Sequence, residues 1–150
     1  MDNEFLRFEK IGRDKAKNEM DNSSVPITYY FTELENPLDL FLTALSKTYA
    51  VEIKNRPFKV ERFEKDGLIL EPHKYKTLME AWENSGYTPI YLNYFDDCRI
   101  EWDVRTIGNI EERTSKLNCS VTTAVNYRKN MKNKDVILLL PSEGKVKWYS

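Results

Sequence analysis

Histidine and cysteine, the side chains that most often build zinc centres and nucleophile–base pairs, are scarce in this sequence. Its 150 residues include one histidine, His73, and two cysteines, Cys98 and Cys119. The lone histidine argues against a zinc centre or a Ser-His-Asp site, and the cysteines form no Cys-x-x-Cys motif. We interpret the cysteines as reduced thiols of a cytoplasmic protein and His73 as a polar residue at the start of a helix.

Long apolar runs and a strong net charge are also missing. No apolar stretch approaches the roughly 20 residues that span a membrane, and the N-terminal residues contain no apolar signal core. Glycine-rich phosphate loops are absent, which argues against a nucleotide-hydrolysing motor. The formal net charge of -1 argues against a generally basic nucleic-acid binder but leaves room for a local basic patch. We therefore expect a cytoplasmic protein without membrane contact.

The chain does contain a regular series of helical and strand patterns. Hydrophobic residues make up 41% and charged residues 31% of it, which is typical of a globular protein. The element order, α-β-β-β-α-β-β-α-β-β, predicts one domain over residues 1–150, of mixed α/β class, with a central mixed sheet flanked by helices. The predicted helices span 2–20, 72–85 and 121–131, and the predicted strands span 25–31, 38–43, 49–54, 90–95, 98–104, 136–140 and 145–149.

The most informative pattern lies between Pro37 and Arg56, where apolar residues alternate with other residues in two consecutive stretches. This alternation predicts two β-strands joined by a turn. With a four-residue loop over 45–48, Asp39 pairs with Lys54, and both emerge with Glu52 on one face of the hairpin. A three-residue connection or a bulge would move Asp39 to the opposite face.

Two acids and a lysine on one face of a sheet suit phosphodiester chemistry. Hard cations such as Mg²⁺ take oxygen ligands, and Asp39, Glu52 and the backbone carbonyl of Ile53 could supply three of them. Lys54 could orient the attacking water or stabilise developing negative charge. The alternative interpretation is an amphipathic hairpin of an unrelated α+β interaction domain, in which these charges face water and contribute little.

The arrangement resembles the PD-(D/E)xK nuclease superfamily, the restriction-endonuclease-like phosphodiesterases. The family signature is an acid on one strand followed by Glu-x-Lys or Asp-x-Lys on the next. Here the match is Pro37-Leu38-Asp39 followed by Val51-Glu52-Ile53-Lys54, and Leu38 departs from the pattern because it separates the proline from the acid. The resemblance covers about residues 2–95 and implies a mixed sheet between helices, a restriction-endonuclease-like core.

The resemblance also implies an activity, a cofactor and further site residues. It implies a Mg²⁺- or Mn²⁺-dependent nuclease, an endonuclease, in which Asp39 and Glu52 bind metal and Lys54 assists catalysis. Many members add a glutamate from the first helix, for which we choose Glu9 over Glu19, and a polar residue on the helix after Glu-x-Lys, for which we choose Lys74.

Partners follow from the same resemblance. It implies a nucleic-acid substrate, DNA ahead of RNA, and allows a homodimer that supplies two sites for two strands. Three basic residues just beyond the signature, Arg56, Lys59 and Arg62, are then the candidates for phosphate contacts. The composition favours a bacterial or phage protein. The alternative function on the same fold is a catalytically inactive domain that binds nucleic acid or a protein partner.

Overall fold

A computed structural model describes residues 3–34, 36–120 and 131–149. In that part of the chain the helices are α1 (Asn3–Asp21), α2 (Pro72–Ser85) and the short α3 (Ile110–Arg113). The strands are β1 (Ile27–Phe31), β2 (Leu40–Ala44), β3 (Lys47–Asn55), β4 (Leu68–Leu70), β5 (Thr88–Tyr94), β6 (Cys98–Asp103), β7 (Thr114–Ser120), β8 (Met131–Leu139) and β9 (Lys145–Trp148). Short 3₁₀ turns lie at Val60–Phe63, Val104–Thr106 and Pro141–Glu143. None of the described helices is long and apolar enough to cross a membrane.

Six strands form the central sheet, in the order β1-β2-β3-β5-β6-β9. The pair β3 and β5 is parallel and the other neighbours are antiparallel, so the sheet is mixed. Helix α1 packs on one face, over Val51 and Ile53, and α2 packs on the other, over β3 and β5. This arrangement confirms the predicted mixed α/β architecture with a central sheet between helices.

A second, three-stranded antiparallel sheet of order β4-β8-β7 completes the core on the α2 side. Its apolar residues Leu68, Ile137 and Leu139 are buried with α2 residue Leu78. The apolar strand predicted over 136–140 is thus part of β8. It is the central strand of this small sheet and does not belong to the six-stranded sheet. Strand β7 was not predicted, and the predicted helix over 121–131 falls on residues outside the described part, apart from Met131, which begins β8.

Small residues bring α1 close to the sheet. A Cβ atom on Gly12 would lie 3.0 Å from Cγ2 of Ile53, and Ala16, one turn further on, is buried. A larger side chain at Gly12 would therefore separate the helix from β3. This close packing holds Glu9 and Arg13, one turn apart, at the end of the sheet where β2 begins.

Helix α2 begins and ends at the predicted residues. Pro72 occupies the first turn, where its missing N–H removes no intrahelical hydrogen bond. Gly86 ends the helix in the left-handed conformation, with φ of 69°, and its N–H donates to the carbonyl of Trp82 at 2.9 Å. The helix therefore lies across β3 with Lys74, in its first turn, above Glu52.

The turn of the central hairpin is shorter than predicted. Ala44 pairs with Lys47, so the connection is the two residues Leu45 and Ser46, both with positive φ (51° and 64°). The predicted four-residue loop is wrong, and the register shifts by two residues. The even shift keeps Phe41 and Ala50 on the face of Glu52. The predicted pairing of Asp39 with Lys54 is wrong, because the regular pairing ends at Leu40 and Val51, and Asp39, just before it, donates its N–H to the same Val51 carbonyl, an irregularity typical of a β-bulge.

Candidate active site

Asp39 lies just before β2 and is buried, with 2% of the residue exposed. Its backbone N–H donates to the carbonyl of Val51 at 3.0 Å, which departs from the regular β2–β3 ladder because Val51 already pairs with Leu40. Its Oδ2 accepts the backbone N–H of Ile53 at 2.7 Å. In a strand the N–H and C=O of one residue point to the same side, so the carbonyl of Ile53 faces the side of β3 on which Asp39 lies.

Arg13 holds the other oxygen of Asp39, and the sequence-based reasoning missed it. Its Nε and Nη2 donate to Oδ1 at 3.1 and 2.9 Å, and the side chain is buried. The same guanidinium donates to the carbonyls of Thr32 and Glu33 and lies 3.5 Å from Oε1 of Glu9. Arg13 therefore ties α1 to the β1–β2 connection and links Glu9 to Asp39. Its spacing of four residues from Glu9 was the available signal.

Glu52 is the second buried acid, 6% exposed. Its Oε1 accepts a charged hydrogen bond from Lys74 at 2.9 Å, whereas its Oε2 is buried and makes no hydrogen bond. Burial, with a further contribution from the negative charge of Asp39, raises the pKa of Glu52 to about 8, although Lys74 acts in the opposite direction. One carboxylate oxygen of Glu52 is thus left without a partner beside a second acid.

Two lysines complete the cluster. Burial and the nearby charge of Arg56 lower the pKa of Lys54 to about 8, against the opposing effect of Glu71 and Glu52. Burial, the largest single effect, lowers the pKa of Lys74, but the charge and hydrogen bond of Glu52, together with the charges of Asp39 and Glu71, raise that pKa overall. The structure therefore brings four predicted side chains together, those of Asp39, Glu52, Lys54 and Lys74, and adds Glu9 through Arg13.

The three basic residues predicted to contact phosphates lie in different environments. Arg56 is half-buried, and its guanidinium donates to Oδ1 of Asn93 at 2.7 Å and to the carbonyl of Ile69 at 3.0 Å. Lys59 and Arg62 are exposed on the segment after β3. The Arg62 guanidinium lies 4.0 Å from the ring centre of Phe58. Arg56 thus has a structural role, because its hydrogen bonds join β5 to β4. Lys59 and Arg62 remain exposed to solvent.

The oxygen atoms of this cluster fit a hard divalent cation. Oε2 of Glu52 is a buried acceptor without a hydrogen bond, and Oδ2 of Asp39 keeps a lone pair beyond its bond from the N–H of Ile53, whereas Oδ1 accepts two hydrogen bonds from Arg13. Across the described residues no group of three or more acidic, histidine or cysteine side chains converges on a metal position. Two carboxylates with the carbonyl of Ile53 suit Mg²⁺, which keeps several waters and needs few protein ligands.

Comparison with solved structures finds a similar fold in Hjc, a Holliday junction resolvase of the archaeal hyperthermophile Archaeoglobus fulgidus. The two chains are 12% identical, the similarity covers 93% of each chain, and the TM-score is 0.53. No protein-family model and no curated protein matches the sequence. At this identity the likeness shows the fold alone, and it confirms the predicted restriction-endonuclease-like architecture. The chain therefore has the fold of the PD-(D/E)xK nucleases.

Proposed function

We propose that this protein is a Mg²⁺- or Mn²⁺-dependent endonuclease of DNA, formed by a single domain. The observation that carries the proposal is the buried Oε2 of Glu52, which makes no hydrogen bond although it lies beside Asp39. An unpartnered carboxylate oxygen is costly in a protein interior unless a ligand satisfies it. Asp39, Glu52 and the carbonyl of Ile53 are the proposed ligands of the cation.

The proposed roles of the side chains follow from their contacts. When bound, the cation would offset charge on the phosphate and activate a water. Arg13 and the N–H of Ile53 hold the Asp39 carboxylate in one orientation, and Lys74 holds Glu52. The ammonium group of Lys54 stabilises negative charge that develops during attack, and its pKa near neutrality favours proton exchange with the attacking water.

Glu9 and the exposed basic residues have supporting roles in this proposal. Glu9 acts through Arg13, which it approaches to 3.5 Å, and so helps to fix the position of Asp39. Lys59 and Arg62 contact phosphates of the substrate beyond the cleavage site. Arg56 positions this segment through its hydrogen bonds to Asn93 and Ile69 rather than by reaching the substrate itself.

The likeness to Hjc guides the choice of substrate. Hjc is described as a Holliday junction resolvase. The description of this neighbour supports DNA as the polymer to test first. The homodimer that the sequence resemblance allows is the assembly to look for. Four-way junctions therefore belong in the substrate panel, together with single strands, duplexes and flaps.

A second candidate function is a catalytically inactive domain that binds nucleic acid or a protein. One observation favours it: each acid already has a basic partner, Asp39 in Arg13 at 2.9 Å and Glu52 in Lys74 at 2.9 Å. An internally compensated cluster of this kind can be stable without a cation.

Cleavage of this DNA panel, with Mg²⁺ and with Mn²⁺, tests the proposal. The variants are Glu52→Gln and Lys54→Met, and the matched controls are Glu83→Gln and Lys76→Met, on the exposed surface of α2. We expect metal-dependent products from wild type and from both controls, but not from the two site variants. Cleavage by Glu52→Gln at the wild-type rate would refute the assignment. DNA binding without cleavage by wild type would favour the second candidate.

A further inference from the structure

The face of the sheet that carries Glu52 continues onto β2 and β1 as rows of paired residues. Tyr30 pairs with Phe41, and Phe41 pairs with Ala50. Directly paired residues share a face, and Glu52 lies two residues along β3 from Ala50, on that same face. The aromatic row therefore lies about 7 Å along the strands from Glu52.

Helix α2 covers only part of this face. It packs on β3 and β5, and Phe41 lies under its C-terminal end, 5.9 Å from the ring centre of Tyr87 in an edge-to-face contact. Tyr30, one strand further out, is 65% exposed, and Leu34 in the following connection is 44% exposed. Among the described residues, an exposed aromatic surface therefore lies on the face of the sheet that carries Glu52, one row along the strands from it. We call the surface of Tyr30 and Phe41 the aromatic floor.

We propose that the aromatic floor binds an unpaired nucleotide of the substrate by stacking its base on Tyr30. This inference rests on the proposed nuclease function and narrows its substrate class to DNA with unpaired or splayed nucleotides at the cleavage site. The alternative, an intact duplex, becomes an outcome of the test below.

The chemistry of the floor favours a base over a phosphate backbone. Its aromatic row contains Tyr30, Phe41 and Ala50, and the row beyond it contains Thr28, Thr43 and Thr48, so neither row supplies a cation for phosphates. An aromatic ring binds the face of any base, but only when that base is not stacked within a duplex. The cations of the cluster, Lys54 and Lys74, lie beside Glu52, where the scissile phosphate would lie.

The two aromatic residues contribute differently. Phe41 is half-buried and fixed by Tyr87, so it forms a rigid base for the surface. Tyr30 stands on the edge strand with most of its ring in solvent. Replacing Tyr30 should therefore weaken nucleotide binding without disturbing the hydrophobic core. Its sequence neighbours Tyr29 and Phe31 are the residues that pack into the core, on the α1 side of the sheet.

Fluorescence anisotropy with labelled DNA, in the presence of a chelator, measures binding separately from catalysis. The probes are a single strand, a blunt duplex and a duplex with a single-stranded flap. The variants are Tyr30→Ala and Tyr30→Phe, and the matched control is Trp148→Ala, which removes an aromatic side chain, 61% exposed, on the opposite edge of the sheet.

We expect Tyr30→Ala to weaken binding of the single strand and the flap by about 5- to 100-fold, the range of one base–aromatic stack. Tyr30→Phe, Trp148→Ala and all duplex affinities should stay within about 2-fold of wild type. Unchanged single-strand affinity in Tyr30→Ala, or an equal loss for duplex, would overturn the inference. Binding that depends on Tyr30 without any cleavage would refute only the nuclease proposal, whereas cleavage with binding independent of Tyr30 would refute only this inference.

Discussion

Glu52 is buried on the sheet with Lys74 on one carboxylate oxygen and no hydrogen bond on the other. Its burial and the charge of Asp39 raise its pKa to about 8. In the unfolded chain the same carboxyl ionises near its ordinary value of 4.5. Between these two values the folded protein holds a proton that the unfolded chain has released, so the ionisation of this single side chain is coupled to folding.

This coupling predicts how stability depends on pH. Because the folded state binds more protons than the unfolded state between about pH 4.5 and pH 8, the free energy of unfolding should fall as the pH rises through that window. The difference should exceed about 1.4 kcal/mol, the equivalent of one pKa unit. Chemical denaturation at a series of pH values, without divalent cations, measures it.

Glu52→Gln is the variant that isolates the effect, and Glu83→Gln on the surface of α2 is its control. The Glu52 variant should lose most of the fall in stability between the two pH limits, since its amide does not titrate. The control should keep the wild-type profile. A profile of Glu52→Gln that is parallel to wild type would mean that other groups cause the dependence.

Arg13 gives a second prediction for a single residue. Arg13→Met keeps most of the side-chain volume but leaves Asp39 buried without its charged partner, so the free energy of unfolding should fall by about 3–5 kcal/mol. Lys10→Met removes an exposed partner of Asp14 on the same helix and should change stability by no more than about 0.5 kcal/mol. Similar losses from the two variants in urea denaturation would contradict the structural role of Arg13.

At the level of elements, the hairpin of β2 and β3 sets the distance between the two acids. Its turn consists of Leu45 and Ser46, both in the left-handed region, where residues other than glycine and asparagine are disfavoured. Replacing the pair with Asn-Gly, by Leu45→Asn and Ser46→Gly, should stabilise the protein by about 1–2 kcal/mol.

The control for the turn is Leu45→Ala, because Leu45 is 82% exposed and alanine keeps the same backbone strain. It should change stability by less than about 0.5 kcal/mol in the same denaturation experiment. If the Asn-Gly variant is no more stable than Leu45→Ala, the positive φ values of Leu45 and Ser46 do not lower the stability of the protein.

The same hairpin shows how far the sequence predicts the structure. Period-two alternation assigns Asp39, Glu52 and Lys54 to one face because side chains in a strand alternate between faces. It does not define the register, which depends on the turn, and Leu-Ser lacks the glycine or asparagine that marks a two-residue hairpin. The predicted pairing of Asp39 with Lys54 was wrong for this reason.

Other misses have similar physical causes. Arg13 lies beside the apolar stripe of α1, where an arginine ordinarily faces solvent, and only the tertiary structure buries it against Asp39. Strand β7 (Thr114–Ser120) is largely polar, so its sequence shows no alternation of apolar and polar residues that would predict a strand. It is defined by its pairing with β8, which comes later in the chain. The two ends of α2 were easier to predict, because the backbone preferences of Pro72 and Gly86 favour a helix start and a helix end whatever the tertiary structure.

At the level of the whole molecule, three parts of the chain each supply part of one cluster. Helix α1 brings Glu9 and Arg13, the hairpin brings Asp39, Glu52 and Lys54, and α2 brings Lys74. Because the described core packs α1 and α2 on opposite faces of the sheet, a ligand that binds this cluster connects elements that are distant in sequence. Such a ligand should stabilise the folded state as a whole.

This reasoning predicts a pH-dependent response to divalent cations. Mg²⁺ competes with the proton on Glu52, whose pKa is about 8, so the rise in Tm caused by Mg²⁺ should be larger at about pH 8.5 than at about pH 6. Thermal unfolding at both pH values, with and without Mg²⁺, measures the two shifts. Equal shifts at the two pH values would place the cation away from Glu52.

Titration calorimetry with Mn²⁺ at about pH 8.5 tests the central claim most directly, because it detects a cation at Asp39 and Glu52 without requiring a substrate. We expect one saturable site in wild type and in Glu83→Gln, and binding weakened by about 10-fold or more in Glu52→Gln. Binding by Glu52→Gln with the wild-type affinity, or no saturable binding by wild type, would contradict the account of this cluster as the metal site of a nuclease.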